Sequence, residues 1–149
     1  MMTYCQVSKE RVKKHAEVFS PAGLVFEMIM YADMRKCLQI DKTILDPAVG
    51  EGQFPCAELV MKMFYNLERL DEETALRALA SLYGIDIQPS SVEKARTHLL
   101  LTLQDAYRFF TGKEFTRLDE AQETVGRNMI IGDSLKLLKE WANPQGVLF

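Results

Sequence analysis

Three aspartates in this 149-residue chain stand where carboxylates can line one ligand site. Asp46, Asp86 and Asp133 each lie at the end of a short apolar segment that has the pattern of a buried strand. In a parallel sheet the carboxyl ends of the strands meet at one edge, and ligands bind in the crevice beyond it. Carboxylates there can accept hydrogen bonds from hydroxyl and amino groups and can attract a cation. The sequence therefore predicts one crevice lined by three acids.

A glycine-rich turn follows the first of these acids. Residues 46–52 read D-P-A-V-G-E-G, and a helical pattern begins directly after them. Glycines let the backbone come close to a ligand, and the N-terminus of a helix attracts an anionic group. A dinucleotide site would have the form G-x-G-x-x-G, and the third glycine is missing here. Taken alone, the turn predicts either a ligand-binding loop or a plain structural turn.

Apolar periodicity predicts the elements that must position these residues. The predicted strands comprise residues 43–45, 83–87 and 129–131, and a fourth is begun at residues 147–149. Gly112 is expected to end the fourth helix, and the polar residues 111–127 are expected to form a loop. The predicted helices carry these apolar stripes: Leu24, Val25, Met28, Ile29 and Ala32 after Ser20-Pro21; Phe54, Ala57, Val60, Met61 and Phe64; Ala75, Leu76, Leu79 and Leu82 after a capping Asp71; Val92, Ala95, Leu99, Leu103, Ala106 and Phe110 after a capping Ser90 or Ser91; and Leu135, Leu138 and Trp141 from Ser134.

Strands that alternate with helices indicate an α/β fold. We expect a partial Rossmann-like fold, with a parallel sheet of three to four strands flanked by helices. The length suits one domain. Within residues 1–149, residues 1–40 are expected to form an N-terminal helical segment and residues 41–149 the Rossmann-like core.

Composition narrows the function classes. No apolar run approaches the ~18 residues that a membrane span needs, and the N-terminus has no apolar signal-peptide core. We therefore expect a cytoplasmic protein that is not bound to a membrane. Cys5, Cys37 and Cys56 are odd in number and form no C-x-x-C pair, which argues against a disulfide framework and a zinc site. With two histidines in the chain, no metal cluster is expected.

The charge of the chain bears on nucleic-acid binding. The net charge is −3, whereas proteins that hold DNA alone usually present a basic face. The local basic excess consists of Lys9, Arg11, Lys13 and Lys14, a pattern that also fits the solvated face of a helix. If DNA is the eventual target, this chain is not expected to hold it unaided.

Four segments, in a fixed order, resemble the motifs of adenine-N6 DNA methyltransferases. Residues 46–54 are similar to motif I, of the form D-P-x-x-G-x-G-x-F, and residues 17–21 are similar to the preceding E-V-F-S/T-P segment. Residues 83–89, Y-G-I-D-I-Q-P, resemble motif II, and residues 128–135, N-M-I-I-G-D-S-L, resemble motif III. The resemblance covers about residues 14–138. Over this range the chain is similar to the methylase parts of restriction–modification enzymes.

The resemblance implies a class I methyltransferase fold and a site for S-adenosyl-L-methionine. It places Ser20 near the methionine carboxylate, Asp46 at the cationic amino group, Asp86 on the two ribose hydroxyls and Asp133 on the adenine amino group. Ile87 would pack on the adenine face. The cofactor-binding residues that the resemblance implies are Phe19, Ser20, Pro21, Asp46, Pro47, Ala48, Gly50, Gly52, Asp86, Ile87, Asp133 and Ser134.

Each of these positions has a structural alternative. Asp46 and Asp86 are also typical turn acids, and Asp133 with Ser134 is also typical of a helix cap. Phe19 and Ile87 are also compatible with a plain core position. Two further side chains are expected to be structural: Phe54 beneath the glycine turn, and His98 as a packed or boundary histidine.

The motif that carries out methyl transfer in that family is missing from the sequence. It has the form D/N/S-P-P-Y/F/W after the fourth strand, and its aromatic ring stacks on the flipped base. Asn143-Pro144 supplies the first two letters only and precedes the predicted fourth strand. We therefore expect a truncated domain that binds cofactor without catalysis of its own, with DNA as substrate only beside a partner subunit or missing domain.

The resemblance also implies a strand order in which the first strand lies between the second and the fourth. With the fourth strand barely begun, residues 43–45 are expected at an open sheet edge, covered by a second copy of the chain or a different partner. Three other functions stay open: a stand-alone binding or regulatory module for S-adenosylmethionine, a remnant with an empty pocket, and a dinucleotide oxidoreductase. The last lacks the third glycine, and Asp86 comes later than the ~20 residues after the turn that such a site uses.

Overall fold

The computed structural model describes residues 22–31 and 36–142. These residues form alternating helices and strands, with a short 3-10 helix at Leu67–Arg69. In chain order they are α1 (Ala22–Tyr31), β1 (Ile44–Asp46), α2 (Gln53–Tyr65), α3 (Glu72–Ala80), β2 (Leu82–Asp86), α4 (Pro89–Thr111), α5 (Leu118–Asn128), β3 (Met129–Ile131) and α6 (Ser134–Ala142).

The three strands form one parallel sheet in the order β1-β2-β3. Asp46 at the end of β1 pairs with Gly84, and Asp86 at the end of β2 pairs with Ile131. This confirms the expected α/β architecture with a three-stranded parallel sheet flanked by helices. Among the residues that the structure describes, β1 pairs with β2 alone, so it stands at a sheet edge.

The core lies between the sheet and the helices that connect its strands. Its fully buried side chains include Leu59, Met63, Leu79, Leu99 and Leu103. A smaller cluster joins α1 to α2 through Val25, Ile29, Leu38, Ala57 and Met61, and Phe54 packs against it. Phe54 therefore packs against this cluster, and its expected place beneath the glycine turn stays a prediction.

Helix α4 follows its predicted stripe closely. Val92, Ala95, Leu99 and Leu103 are fully buried, and the helix ends at Gly112, which has a φ of 69°. Its start differs from the prediction, because the helix begins at Pro89 with Gln88 as its cap rather than after Ser90 or Ser91. Proline has no amide hydrogen to satisfy and therefore suits the first helical position.

The prediction of a loop over residues 111–127 is wrong for most of its length. Residues Leu118–Asn128 form α5, which buries Ala121 and Val125. Two small apolar side chains four residues apart are enough to pack a short helix against the core, and the polar residues between them face solvent. Asn128 ends the helix by donating from Nδ2 to the carbonyls of Ala80 and Leu82, at 3.0 and 3.1 Å.

In two other helices, some residues of the predicted apolar stripe are exposed. In α1, Val25 and Ile29 are buried, but Leu24 and Met28 are about half exposed. In α2, Phe64 is exposed. Leu82 belongs to β2 rather than to the helix before it. That helix, α3, is capped as predicted, since Asp71 Oδ1 accepts the amide of Thr74 at 2.8 Å.

Several predictions fall outside the described residues. They concern the cofactor-binding assignments of Phe19, Ser20 and Pro21, the basic group in residues 9–14, Ala32, and the turn and fourth strand in residues 143–149. Within the described ranges, no helix combines the length and apolar character required to cross a membrane.

Candidate functional site

The turn after β1 folds back onto the next strand of the sheet. Val49 donates its amide to the carbonyl of Ile85 at 2.9 Å, and Gly52 donates to the carbonyl of Val49 at 2.9 Å. The backbone at Gly52 has a φ of 90°, a conformation that favours glycine. A Cβ at Gly52 would also lie 3.1 Å from the Cα of Ala95, so this glycine lets α4 approach the turn.

Asp86 joins the glycine turn to the end of β2. Its Oδ2 accepts the amide of Gly50 at 3.0 Å, and its Oδ1 accepts the amide of Gln88 at 2.8 Å. Gly50 and Asp86 are 36 positions apart in the chain. Because a carboxylate can accept about four hydrogen bonds, each oxygen retains acceptor capacity for a ligand.

Gly84 permits this close approach of turn and sheet. A Cβ placed on it would lie 2.6 Å from Cγ2 of Val49 and 2.9 Å from the sulfur of Met129. The glycine of the Y-G-I-D segment is thus needed for packing between the turn and β3. It was not among the predicted site residues, although its place in the motif was a signal.

Asp46 lies beside the turn and near Asp86. Its Oδ1 accepts the amide of Ala48 at 3.0 Å, which fits the turn-acid alternative as well as a ligand site. Burial raises the pKa of Asp46, the Ala48 amide opposes this shift, and the negative charge of Asp86 adds to it. The charge of Asp86 at the end of β2 therefore acts on Asp46 at the end of β1.

Asp133 occupies the end of β3 and caps the next helix. Its Oδ1 accepts the amides of Leu135 and Lys136 at 3.0 and 3.4 Å, and Ser134 is the first residue of α6. The helix-cap alternative describes these contacts. Adjacent parallel strands lie ~4.8 Å apart. Asp46 is level with Gly84, and Asp86 is level with Ile131, so Asp133 is separated from Asp46 along the strand direction as well as across two strands.

Exposed apolar side chains lie at the same edge of the sheet. Ile87 is 66% exposed, so its alternative as a core residue is wrong. Ile131 at the end of β3 and Leu135 in α6 are also exposed, at 46% and 71%. Together they supply apolar surface beside Asp86 and Asp133, of the kind that can cover the face of a planar ring.

Two buried charged residues on α2 are absent from the predicted site. Glu58 is 4% exposed and Lys62 is fully buried. Lys62 Nζ donates to the carbonyls of Gln39, Ile40 and Lys42 and to Oγ of Ser81, at 2.6 to 3.3 Å. A Glu–Lys pair four residues apart is typical of a solvated helix face, so the sequence held no signal for their burial.

The turn is braced from α4 as well. Glu51 is 1% exposed, and its Oε1 accepts Nζ of Lys94 at 2.7 Å. His98 is half-buried, and its Nδ1 lies 2.7 Å from the carbonyl oxygen of Glu51. His98 is therefore a packed boundary histidine, as expected, that holds the backbone of the turn.

A separate cleft of about 360 Å³ lies at the opposite end of β1. Its walls come from the segment before β1 and from α3, and Arg77 there pairs with Asp41. Because residues 39–42 precede the strand, this cleft is remote from the three acids. The three acids follow the carboxyl ends of the strands, at the other end of the sheet.

Comparison of the chain with family models, with curated proteins and with solved structures finds no match in any of the three.

Proposed function

We propose that this chain binds S-adenosyl-L-methionine across the carboxyl ends of β1, β2 and β3, as the cofactor-binding part of an adenine-N6 DNA methyltransferase. The observation that carries the proposal is the hydrogen bond from the Gly50 amide to Oδ2 of Asp86. It joins the glycine turn of one motif to the acid of the next, as a crevice built from both motifs requires.

The order of groups along the sheet edge supports this ligand. Asp46, Asp86 and Asp133 follow one another across β1, β2 and β3. The register staggers them, because Asp46 pairs with Gly84 and Asp86 with Ile131, so the row of acids runs obliquely across the strand ends and suits an elongated molecule. S-adenosylmethionine carries a cationic amino group at one end, a ribose diol in the middle and an adenine amino group at the other end. Carboxylates match all three groups, since each offers donors or a positive charge.

An apolar side chain at the strand ends also fits S-adenosylmethionine. Ile87 is an exposed apolar side chain directly after the ribose acid, where the adenine face would lie. When bound, the cofactor supplies an activated methyl group for transfer to a nucleophile. The residues of this chain bind and orient it, whereas the base-stacking tetrad that would hold the adenine target is missing from the sequence.

Binding is tested by titration calorimetry with Ile87→Ser and a matched control, Leu101→Ser. Leu101 is 54% exposed on α4, away from the strand ends. Losing the apolar contact of Ile87 should weaken binding about 5- to 30-fold, equivalent to about 1–2 kcal/mol. The control should bind as the wild type does. If the wild-type chain gives no heat of binding at millimolar cofactor, the proposal is wrong.

Methyl transfer to adenine-containing DNA tests the second half of the proposal. We expect transfer only when a second polypeptide supplies the acceptor–proline–proline–aromatic tetrad. Cofactor binding that never leads to transfer beside such a polypeptide would instead support a stand-alone binding module.

A further inference from the structure

Glu58 is a buried carboxyl that has no counter-ion in contact within the described part of the chain. It is 4% exposed, and no group within residues 22–31 and 36–142 donates a hydrogen bond to it. A buried ionised carboxylate without partners is costly, so such a group is normally neutral or serves a bound cation. Lys62 lies one turn further along α2, but its ammonium is directed to Gln39, Ile40, Lys42 and Ser81.

The position of Glu58 connects it with the acid end of the crevice. Lys62 Nζ contacts residues 39–42, just before β1. Glu58 lies about 6 Å nearer the start of α2, and β1 rises about 7 Å from Ile44 to Asp46. Glu58 therefore stands between Lys62 and Asp46 along the contact of α2 with the edge strand, close enough for the charge of Asp46 to act on it.

We propose that Glu58 is a positioning residue behind Asp46: it is protonated while the crevice is empty and releases its proton when a cationic amino group binds beside Asp46. The O–H bond of the carboxyl breaks, and the proton passes to a buffer base. Glu58 then adds a second negative charge to the amino-binding end of the site. The inference rests on the proposed function, because that function places the amino group at Asp46.

The electrostatics of the site give the direction of this coupling. Burial raises the pKa of Glu58 to about 7, the charge of Asp46 adds to the increase, and Lys62 opposes it. A cation beside Asp46 offsets the repulsion between the two carboxylates, so the ionised form of Glu58 becomes favoured. Ligand binding and proton release are then linked, and each promotes the other.

The charges that act on Glu58 are those of Asp46 and Lys62. Of the other charged groups around α2, Asp41 pairs with Arg77 of α3, and Asp86 of β2 accepts the amides of Gly50 and Gln88. On α1 the titratable side chain among the described ones is Glu27, which is exposed. On α4, Lys94 and His98 contact Glu51 rather than Glu58. Glu123→Gln, which makes the same change at an exposed position on α5, is the matched control variant.

Calorimetry at pH 6.5 in phosphate and in imidazole, two buffers of different ionisation enthalpy, measures the protons released on binding of S-adenosylmethionine. With a pKa of about 7 for Glu58, binding should release about three quarters of a proton. The ligand's own amino group stays protonated at this pH, because α-amino groups titrate near 7.7–8.0. Affinity should be about fivefold weaker at pH 6 than at pH 7, since a pKa of about 7 leaves Glu58 mostly protonated at the lower pH.

Glu58→Gln should bind without proton release and with an affinity that is the same at pH 6 and pH 7, whereas Glu123→Gln should behave as the wild type does. Binding by the wild type without proton release, or equal release by Glu58→Gln, would overturn the inference and leave the proposed function standing. Failure of the wild type to bind at either pH would overturn the proposed function itself.

Unfolding in urea supplies a readout that needs no ligand. A carboxyl whose pKa is raised from 4.5 to about 7 on folding holds more protons in the native state. The free energy of unfolding should therefore fall as the pH rises from about 4.5 to about 7, because the native state loses its extra proton. Glu58→Gln should remove this part of the pH dependence of the free energy of unfolding. An unchanged pH dependence would contradict a protonated Glu58 in the chain without ligand.

Discussion

Gly84 has no space for even a methyl group between the turn after β1 and the third strand. A Cβ at this position would lie 2.6 Å from Cγ2 of Val49 and 2.9 Å from the sulfur of Met129. Both neighbours are buried, at 3% and 1% exposure, so neither can move into solvent. The approach of turn and sheet that brings Gly50 to Asp86 thus depends on a glycine whose role is packing.

Gly84→Ala should lower the free energy of unfolding by about 1–3 kcal/mol, because an extra methyl group in a packed core forces neighbours to shift. Gly126→Ala is the matched control. Its Cβ would meet nothing within 4 Å in the exposed part of α5, and alanine should stabilise that helix by about 0.5–1 kcal/mol. Urea unfolding of both variants measures the difference, and a Gly84→Ala chain as stable as wild type would refute the packing argument.

At the scale of elements, α2 holds the segment before β1 through one side chain. Lys62 Nζ has four acceptors, and three of them are backbone carbonyls of residues 39–42. Burial lowers the pKa of Lys62 to about 8, so the ammonium form, with three hydrogens to donate, prevails at neutral pH. This contact sets where β1 enters the sheet and thereby where Asp46 stands.

Lys62→Met should destabilise the fold by about 2–4 kcal/mol, because methionine fills the space but leaves buried carbonyls without a donor. Lys113→Met, at an exposed position after α4, should change the free energy of unfolding by no more than about 0.5 kcal/mol. Chemical denaturation followed by circular dichroism distinguishes the two. Equal stability of both variants would show that Lys62 does not hold the segment.

At the scale of the whole molecule, the edge position of β1 predicts association. Among the described residues β1 pairs on one side only, and exposed strand edges tend to pair with another chain. We propose that a second copy of the chain or a partner subunit covers this edge. The surface apolar residues of α1, among them Leu24, Met28 and Met30, lie on a helix packed against α2 and form a second exposed apolar surface in the described part of the chain.

Sedimentation velocity over a wide range of concentrations tests this association. The wild type should form a concentration-dependent dimer, and Thr43→Lys should shift it to monomer, because a charge beside an edge strand opposes pairing. Thr97→Lys, at an exposed position on α4, should leave the dimer intact. A wild-type chain that stays monomeric at the highest concentration would count against self-association.

The sequence by itself determined the three strands, the acids that follow them and the helices other than α5. Period-two and period-3.6 patterns are local properties of the chain, so the three strands, the stripe of α4 and the cap at Asp71 were predictable, and the acids followed from the strands. The same locality explains the wrong loop at residues 111–127, because α5 is held by packing of Ala121 and Val125 rather than by a long apolar stripe.

Only the tertiary structure decided which polar groups meet. The bond between Gly50 and Asp86 joins residues 36 positions apart, and the contacts of Lys62 join residues about 20 apart. The parallel crossover from β1 through α2 and α3 to β2 brings these residues together in space, and no local pattern in the sequence encodes it. For the same reason no local pattern marks Glu58 as buried, and the packing of α2 against the edge strand makes it a buried carboxyl near Asp46.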